Sequence, residues 1–317
     1  MNIFRNPTLE ILILEHILRE FCRMSNIGFI GVGKMGLPMM NNLILSGHSI
    51  IAYDHSEDAL KNALKKGAVV ADNIKEATSS QDIVITMLPA GKDICDVYLG
   101  KDSIFSAADS GTLFIDCSTV DIGSAINVHK EATRNEMYMV DAPVSGGVGG
   151  AEKGTLTFMV GGTEIAFARA KNILGDMGTK IIHAGGEGQG QAAKICNNLL
   201  LGISMVAVCE SFALADKLGL DRQTLFNISS NATGQCWALN SYCPVPGPVP
   251  ESPANNGYVA GFASSMMHKD LALSQLAAQS NGLQTQLGAL TEKLYKNFCE
   301  TGNSDVDFSG IFEMIRK

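Results

Sequence analysis

Three glycines in the spacing Gly31-x-Gly33-x-x-Gly36 follow the apolar run Ile27–Ile30 and open a helical pattern, with Val32, Lys34 and Met35 between them. That order suits the pyrophosphate of a dinucleotide. Gly31 permits a tight turn, Gly33 lets the backbone approach the phosphates, and Gly36 lets the helix pack closely on the strand. The new helix adds free N–H groups and a positive dipole end. Spacing alone is weak in a chain with 33 glycines, so context has to decide. Asp54 ends the second apolar run, eighteen residues after Gly36. An acid there accepts hydrogen bonds from an adenosine ribose and repels a 2′-phosphate. His55 and Ser56 follow, with no arginine to hold such a phosphate. The pair of observations favours NAD over NADP. The alternative for Asp54 is capping of the helix that begins near Ser56.

A second glycine cluster runs Asp141-Ala-Pro-Val-Ser145-Gly146-Gly147-Val-Gly-Gly150. Its backbone can expose several N–H groups beside the Ser145 hydroxyl, a nest suited to a carboxylate; a flexible linker has the same composition. Lys194 and Asn198 stand four apart in a strongly apolar helical pattern that opens at Gly188, so they share one helix face. Burying them without partners is costly, and an apolar surround lowers a lysine pKa until it can exchange a proton near neutrality. A solvated surface lysine is the plain alternative. Lys269-Asp270 opens a later helix and reads as a ligand-reaching lysine with a capping or pairing acid, or as a solvated pair. The histidines show no metal-ligand spacing, no nucleophile elbow is present, and no metal is expected. Trp237 has core packing as its plain role and lining a substrate pocket as the sharper one.

Alternating short apolar runs and helical stretches position these groups between Asn26 and about Asp141. Strands are expected at 27–30, 49–53, 83–87, 112–115 and 137–140, with helices at 35–46, 58–66 and 121–135. Such alternation implies a parallel sheet covered on both faces, whose ligands bind beyond the carboxyl ends of the strands. Leu88-Pro89, Asp116–Thr119 and Asp141–Gly147 all fall there. A strand at 155–160 and a helix at 164–174 come next. Beyond Ile181-Ile182 the pattern turns helical: 189–218, 222–230, 264–280, 287–301 and 308–316. The first of these is apolar all round and belongs in a core or an interface. The proline-rich stretch Tyr242–Tyr258 reads as a candidate lid or substrate-facing loop. The chain therefore divides into a leader (1–25), an α/β Rossmann-type N-terminal domain (26–187) and an all-α C-terminal domain (188–317).

The bulk properties fit. At 317 residues, 46% hydrophobic and 18% charged, the chain has the composition of a soluble two-domain protein. A net charge of -8 and the lack of a Lys/Arg run argue against nucleic acid, and no uninterrupted apolar run is long enough for a membrane span. The eight cysteines form no CxxC pair and read as free thiols, most of them buried. The leader combines Leu9 and Ile11–Leu14 with Arg5, Arg19 and Arg23, as a presequence does, but carries Glu10, Glu15 and Glu20, which presequences avoid.

Taken together, the segments 28–36, 141–147, 188–198 and 267–271 resemble the β-hydroxyacid dehydrogenases from about Asn26 to the C-terminus. Cys236-Trp237, Pro244–Gly247 and Asn255-Asn256 look like the 3-hydroxyisobutyrate branch of that family. The resemblance implies an NAD-dependent oxidation of a small β-hydroxy acid. The substrate carboxylate would sit on Ser145, Gly146 and Gly147, with Lys194 as general base, Asn198 orienting the substrate and Trp237 in its pocket. Gly31, Val32, Gly33, Lys34, Met35, Gly36, Asp54, Leu88, Pro89, Asp93, Thr119 and Lys269 would line the NAD site. It also implies a homodimer or homotetramer built through the helical domain. For the animal enzymes it implies valine breakdown in the mitochondrial matrix; without a working presequence the location would be cytoplasmic. Alternatives are a dehydrogenase or reductase for another short β-hydroxy acid using NAD or NADP, and a non-catalytic dinucleotide-binding module. The chain departs from the family pattern at Thr233-Gly234-Gln235, where relatives commonly have Ser-Gly-Arg, and at Asp93, where Asn is frequent.

Overall fold

The computed structural model describes residues 24–317; the leader lies outside the described residues but for its last two. Among the described residues, nine strands form one sheet: β1 Asn26–Ile30, β2 Ser49–Tyr53, β3 Val69–Val70, β4 Ile83–Thr86, β5 Leu113–Asp116, β6 Tyr138–Asp141, β7 Val144–Ser145, β8 Leu156–Gly162 and β9 Gly178–Gly185. Their order is β3-β2-β1-β4-β5-β6-β8-β7, with β9 beside β8. The six strands from β3 to β6 are parallel, as the alternation predicts. Beyond them, past the span the alternation covers, the sheet becomes mixed. β8 runs antiparallel to β6 and to β7, and β9 returns parallel to β8.

β4 and β5 are buried along their whole length, because helices cover both faces of the sheet. One face packs Phe29, Met39, Met40 and Leu43 with Phe158 and Leu174. The other packs Ile94, Tyr98, Phe105 and Phe114, with the Phe105 and Phe114 rings 4.8 Å apart at 74°. Short polar residues start three of the covering helices: Ser56 accepts from Ala59 N–H, Asp121 from Ser124 N–H and Thr163 from Ala166 N–H. Each satisfies one donor that the first helical turn leaves without an acceptor. The helix Gly91–Leu99 was not expected; it starts without a side-chain cap, so it lacks the usual sequence signal.

The helical half has its own core of Met205, Cys209, Phe212, Met267, Leu271, Tyr295, Phe308 and Phe312. The helix Gln189–Leu218 runs through it, flanked by Ser264–Ser280 and Gln286–Phe298. It is long and apolar enough to cross a bilayer, but here it is the axis of a globular core. It is not buried all round: Leu200, Leu214 and Leu218 are exposed along one face. The proline-rich stretch is no loose lid. Ser252 Oγ donates to Cys243 O at 2.5 Å, Tyr258 OH to Pro244 O at 2.8 Å and Asn255 Nδ2 to Val249 O at 2.7 Å. Cys243 and Val245 are fully buried.

One joint fixes the long helix on the sheet. Asp141, the last residue of β6, accepts from Gly188 N–H at 2.9 Å and His129 Nε2 at 2.8 Å through Oδ1, and from Gln191 N–H at 2.9 Å through Oδ2. A Cβ at Gly190 would stand 2.4 Å from Asp141 O and 2.5 Å from Met159 O, both backbone atoms that cannot swing away. Gly190→Ala is therefore expected to lower the unfolding free energy by about 1–3 kcal/mol, the usual cost of overpacking. Urea denaturation with an unchanged m value checks this.

Candidate active site

The glycine loop sorts its three glycines by function. Gly31 has φ 91, and a Cβ there would lie 2.3 Å from Met87 O. A Cβ on Gly36 would lie 1.9 Å from Gly31 O, so strand and helix touch backbone to backbone. At Gly33 a Cβ would meet nothing within 4 Å. The exposed Gly33 backbone thus faces open space at the start of the helix Gly36–Leu45, as a cradle for a pyrophosphate requires. Asp54 braces this loop: Oδ2 accepts from Val32 N–H at 2.8 Å and Oδ1 from Ser56 N–H at 2.8 Å. Ser56, not Asp54, caps the following helix. A carboxylate has roughly four acceptor positions, so Asp54 retains capacity for a ribose hydroxyl.

The next two strand ends are tied together beside it. Leu88 N–H donates to Ser118 Oγ at 2.8 Å, and Ser118 Oγ donates to Asp116 Oδ1 at 2.6 Å. Burial pushes the Asp116 carboxyl up to about 6, against the hydrogen bonds from Ser118 and Thr86. Across the domain boundary, Lys269 Nζ donates to Pro89 O at 3.1 Å and to Thr119 O at 2.9 Å. Pro89, Thr119 and Lys269 therefore meet, although they are far apart in sequence.

Lys194 is buried, with 7% of its surface exposed, and its side chain has no hydrogen-bond partner among the described residues. Burial holds its amine below the ordinary lysine value of 10.5; the Asp270 carboxylate works against that shift and the Lys269 charge adds to it. Asn198 Nδ2 donates to Asp270 Oδ2 at 2.5 Å, and Asn198 Oδ1 accepts from Asn197 Nδ2 at 3.0 Å. Asp270, 3% exposed, keeps Oδ1 without a hydrogen bond, 3.7 Å from Lys269 Nζ. A buried carboxylate oxygen left without a donor is costly, and it marks a polar centre shared by Lys194, Asn198 and Lys269.

The Ser145–Gly147 turn lies between β7 and the short helix Gly147–Glu152. Gly146 and Gly147 have φ 137 and 62, a course open to glycine, and the first N–H groups of the helix have no intrahelical acceptor. It is an ordered turn, not a linker. The helical domain closes over it: a Cβ at Gly147 would sit 3.3 Å from Gly261 O, and one at Gly261 would meet Tyr242 OH at 2.7 Å. Tyr242 stacks between Trp237 (4.9 Å, 21°) and Phe308 (5.3 Å, 27°). Trp237 itself is 53% exposed, which excludes the core-packing role for it.

Two family models match the chain. One, described as the NAD-binding domain of 6-phosphogluconate dehydrogenase, covers residues 26–186; the other, described as NAD-binding of NADP-dependent 3-hydroxyisobutyrate dehydrogenase, covers 188–315. A probable 3-hydroxyisobutyrate dehydrogenase of Mycobacterium tuberculosis is 44% identical over 293 residues, which is 92% of this chain and 98% of that one. The chain belongs to the 3-hydroxyisobutyrate dehydrogenase family. The human mitochondrial member of the family is 41% identical over 299 residues, 94% of this chain and 89% of its own. A solved structure of the M. tuberculosis family member with L-serine superimposes with a TM-score of 0.89 at 44% identity, covering 93% of this chain and all of that one. The chain is thus an oxidoreductase that uses a nicotinamide dinucleotide.

The expected site residues are only partly gathered. The structure brings together the glycine loop with Asp54, Pro89 and Thr119 with Lys269, and Lys194 and Asn198 around Asp270. Lys34 is exposed, Met35 packs on the sheet core, and Asp93 sits in the first turn of Gly91–Leu99 without a side-chain hydrogen bond among the described residues. Sequence reasoning gave Asp270 only a capping or pairing role and passed over Gln191, Tyr242 and Gly261; their partners lie in distant segments, and no spacing rule announces them. Behind the aromatic stack, buried Asp307 accepts from Tyr242 OH, Gly261 N–H and Phe262 N–H through Oδ2, and from Ser309 N–H and Oγ through Oδ1. Asp307→Ala strands all five donors and is expected to cost about 3 kcal/mol or more in urea unfolding.

Proposed function

We propose that the enzyme oxidises 3-hydroxyisobutyrate to methylmalonate semialdehyde with NAD, in the breakdown of valine, and that Lys194 is the general base. The observation that carries this is the buried Lys194 amine, held below its ordinary pKa beside Asp270 and Asn198. The substrate carboxylate docks on Ser145, Gly146 and Gly147. Lys194 takes the proton of the substrate hydroxyl as the carbinol C–H bond breaks, and Asn198 orients the hydroxyl. Trp237 closes the pocket from the helical side. The dinucleotide, when bound, supplies the hydride acceptor; Gly31 to Gly36, Asp54, Leu88, Pro89, Asp93, Thr119 and Lys269 hold it. The acid at Asp54, with no arginine beside it, supports NAD rather than NADP.

A second reading, a dehydrogenase for another short β-hydroxy acid, has two observations behind it. The solved M. tuberculosis relative was captured with L-serine, which is also a short β-hydroxy acid, and Gln235 replaces the family's usual arginine. The exposed Leu200, Leu214 and Leu218 of the long helix, with Leu287 and Leu290 exposed on the flanking helix Gln286–Phe298, support a homodimer or homotetramer formed through the helical domain. The relatives named as mitochondrial support a mitochondrial location.

Purified protein with 3-hydroxyisobutyrate and NAD is expected to generate reduced nicotinamide absorbance faster than with L-serine or with NADP. Absence of turnover with every short β-hydroxy acid tested would refute the reading. Lys194→Ala is expected to lower kcat by roughly 10²–10⁴-fold, the usual worth of a general base, while NAD still binds. Because the base must be neutral, oxidation should rise with pH through a pKa below 10.5. Asp270 favours the ammonium, so Asp270→Asn should move that rise to still lower pH. A pH profile of kcat/KM that is unmoved in the variant would remove Asp270 from this role.

A further inference from the structure

Gln191 is completely buried and stands one helical turn before Lys194. Its side-chain amide makes a two-point contact with one short loop of the other domain: Oε1 accepts from Val120 N–H at 3.0 Å, and Nε2 donates to Ser118 O at 2.8 Å. Its backbone N–H goes to Asp141 Oδ2. The residue between the two contacts, Thr119, accepts from Lys269 through its carbonyl, and Ser118 Oγ holds Leu88 N–H. The Ser118–Val120 loop is therefore gripped from two helices at once, at the strand ends where the dinucleotide is read to lie. An amide that spends both its donor and its acceptor on peptide groups over 70 residues away in sequence is a specific joint. Ordinary core filling would be served by an apolar side chain of the same length.

We infer that Gln191 is a positioning residue that locks the cofactor-facing loop Ser118–Val120 and the helix bearing Lys194 into one unit, so that a dinucleotide seated on the loop fixes the distance between the base and the reacting carbon. This rests on the reading of Lys194 as general base. It differs from that reading because Gln191 touches neither substrate nor cofactor. Its effect passes through the loop to dinucleotide affinity and through the helix to turnover.

Two variants separate this role from simple stability. Gln191→Met keeps the length and removes both hydrogen bonds. Gln191→Glu reproduces the donor and acceptor while its carboxyl is protonated; once ionised, it turns an acceptor toward Ser118 O. The titratable groups around it are Asp141 at the end of β6, His129 of the helix Ile122–Arg134 bonded to it, Asp116 behind Ser118, and Lys194 with Lys269 and Asp270 on the helical side. Binding of NAD alone is followed by calorimetry, kcat by reduced-nicotinamide absorbance, and folding by circular dichroism. Gln191→Met is expected to stay folded, bind NAD about tenfold more weakly and turn over about tenfold more slowly, as befits the loss of two buried hydrogen bonds. Gln191→Glu is expected to approach wild type at low pH and fall away from it through one added ionisation as pH rises. NAD affinity and kcat of Gln191→Met both within twofold of wild type would overturn the inference, as would a Gln191→Glu-to-wild-type ratio that does not change with pH. If Gln191→Met does not fold, the Glu variant's pH dependence decides alone. Failure of the dehydrogenase reading shows separately, as a wild type without turnover, and leaves the NAD-affinity arm intact.

Discussion

A primary amine kept out of water is the constraint around which the molecule is arranged. Burial in an apolar surround holds the Lys194 pKa down, and the nearby Asp270 carboxylate works against that shift. The long helix supplies the apolar part by running through the helical core. Asn198 supplies the polar part from the adjoining turn, and Asp270 from the neighbouring helix. Neither works unless the helix holds its position along its own axis. The Asp141 cap and the backbone contact at Gly190 set that position against β6 and β8.

The sheet then serves as the reference frame. Its parallel strands end at the glycine loop, at Leu88-Pro89 and at Ser118–Val120. β8 runs back antiparallel to β6 and β7 and meets the long helix, where a Cβ on Gly161 would stand 2.6 Å from Gly190 N. The helical domain reaches over this edge at several points: Lys269 on the Pro89 and Thr119 carbonyls, Gln191 on the Ser118–Val120 loop that carries the second of them, and the Gly261 turn against Gly147. The proline-rich segment and Asp307 stiffen the wall that carries Tyr242 and Trp237. A site between two domains is thus held by polar contacts that cross the boundary in both directions.

Much of this was legible in the residues. Strand and helix alternation gave the parallel half, because buried strands and capped helices write short-range patterns such as Ile83–Thr86 and Asp121 before Ile122. Strand direction is not written that way, so the antiparallel course of β8 was missed. The helix Gly91–Leu99 was missed for want of a cap. Gly31 to Gly36 and Lys194 with Asn198 stood out because loops and helix faces have fixed spacings. Asp270 and Gln191 did not: each finds its partner about 70 residues away, and only the folded chain joins them. Asp54 fell between the cases. Its position at a strand end was legible, whereas its grip on Val32 N–H was not.

The three glycines of the loop look alike on paper, but they answer to different masters. Gly31 and Gly36 are confined by neighbouring backbone, so any lineage that keeps this fold must keep them. Gly33 meets nothing of its own protein, and only a bound ligand would notice a methyl group there. In a descendant that stopped using the cofactor, Gly33 would be free to drift while the other two stayed. The pattern of glycine loss in this loop would then record, without any assay, whether an ancestor gave up its chemistry before it gave up its shape.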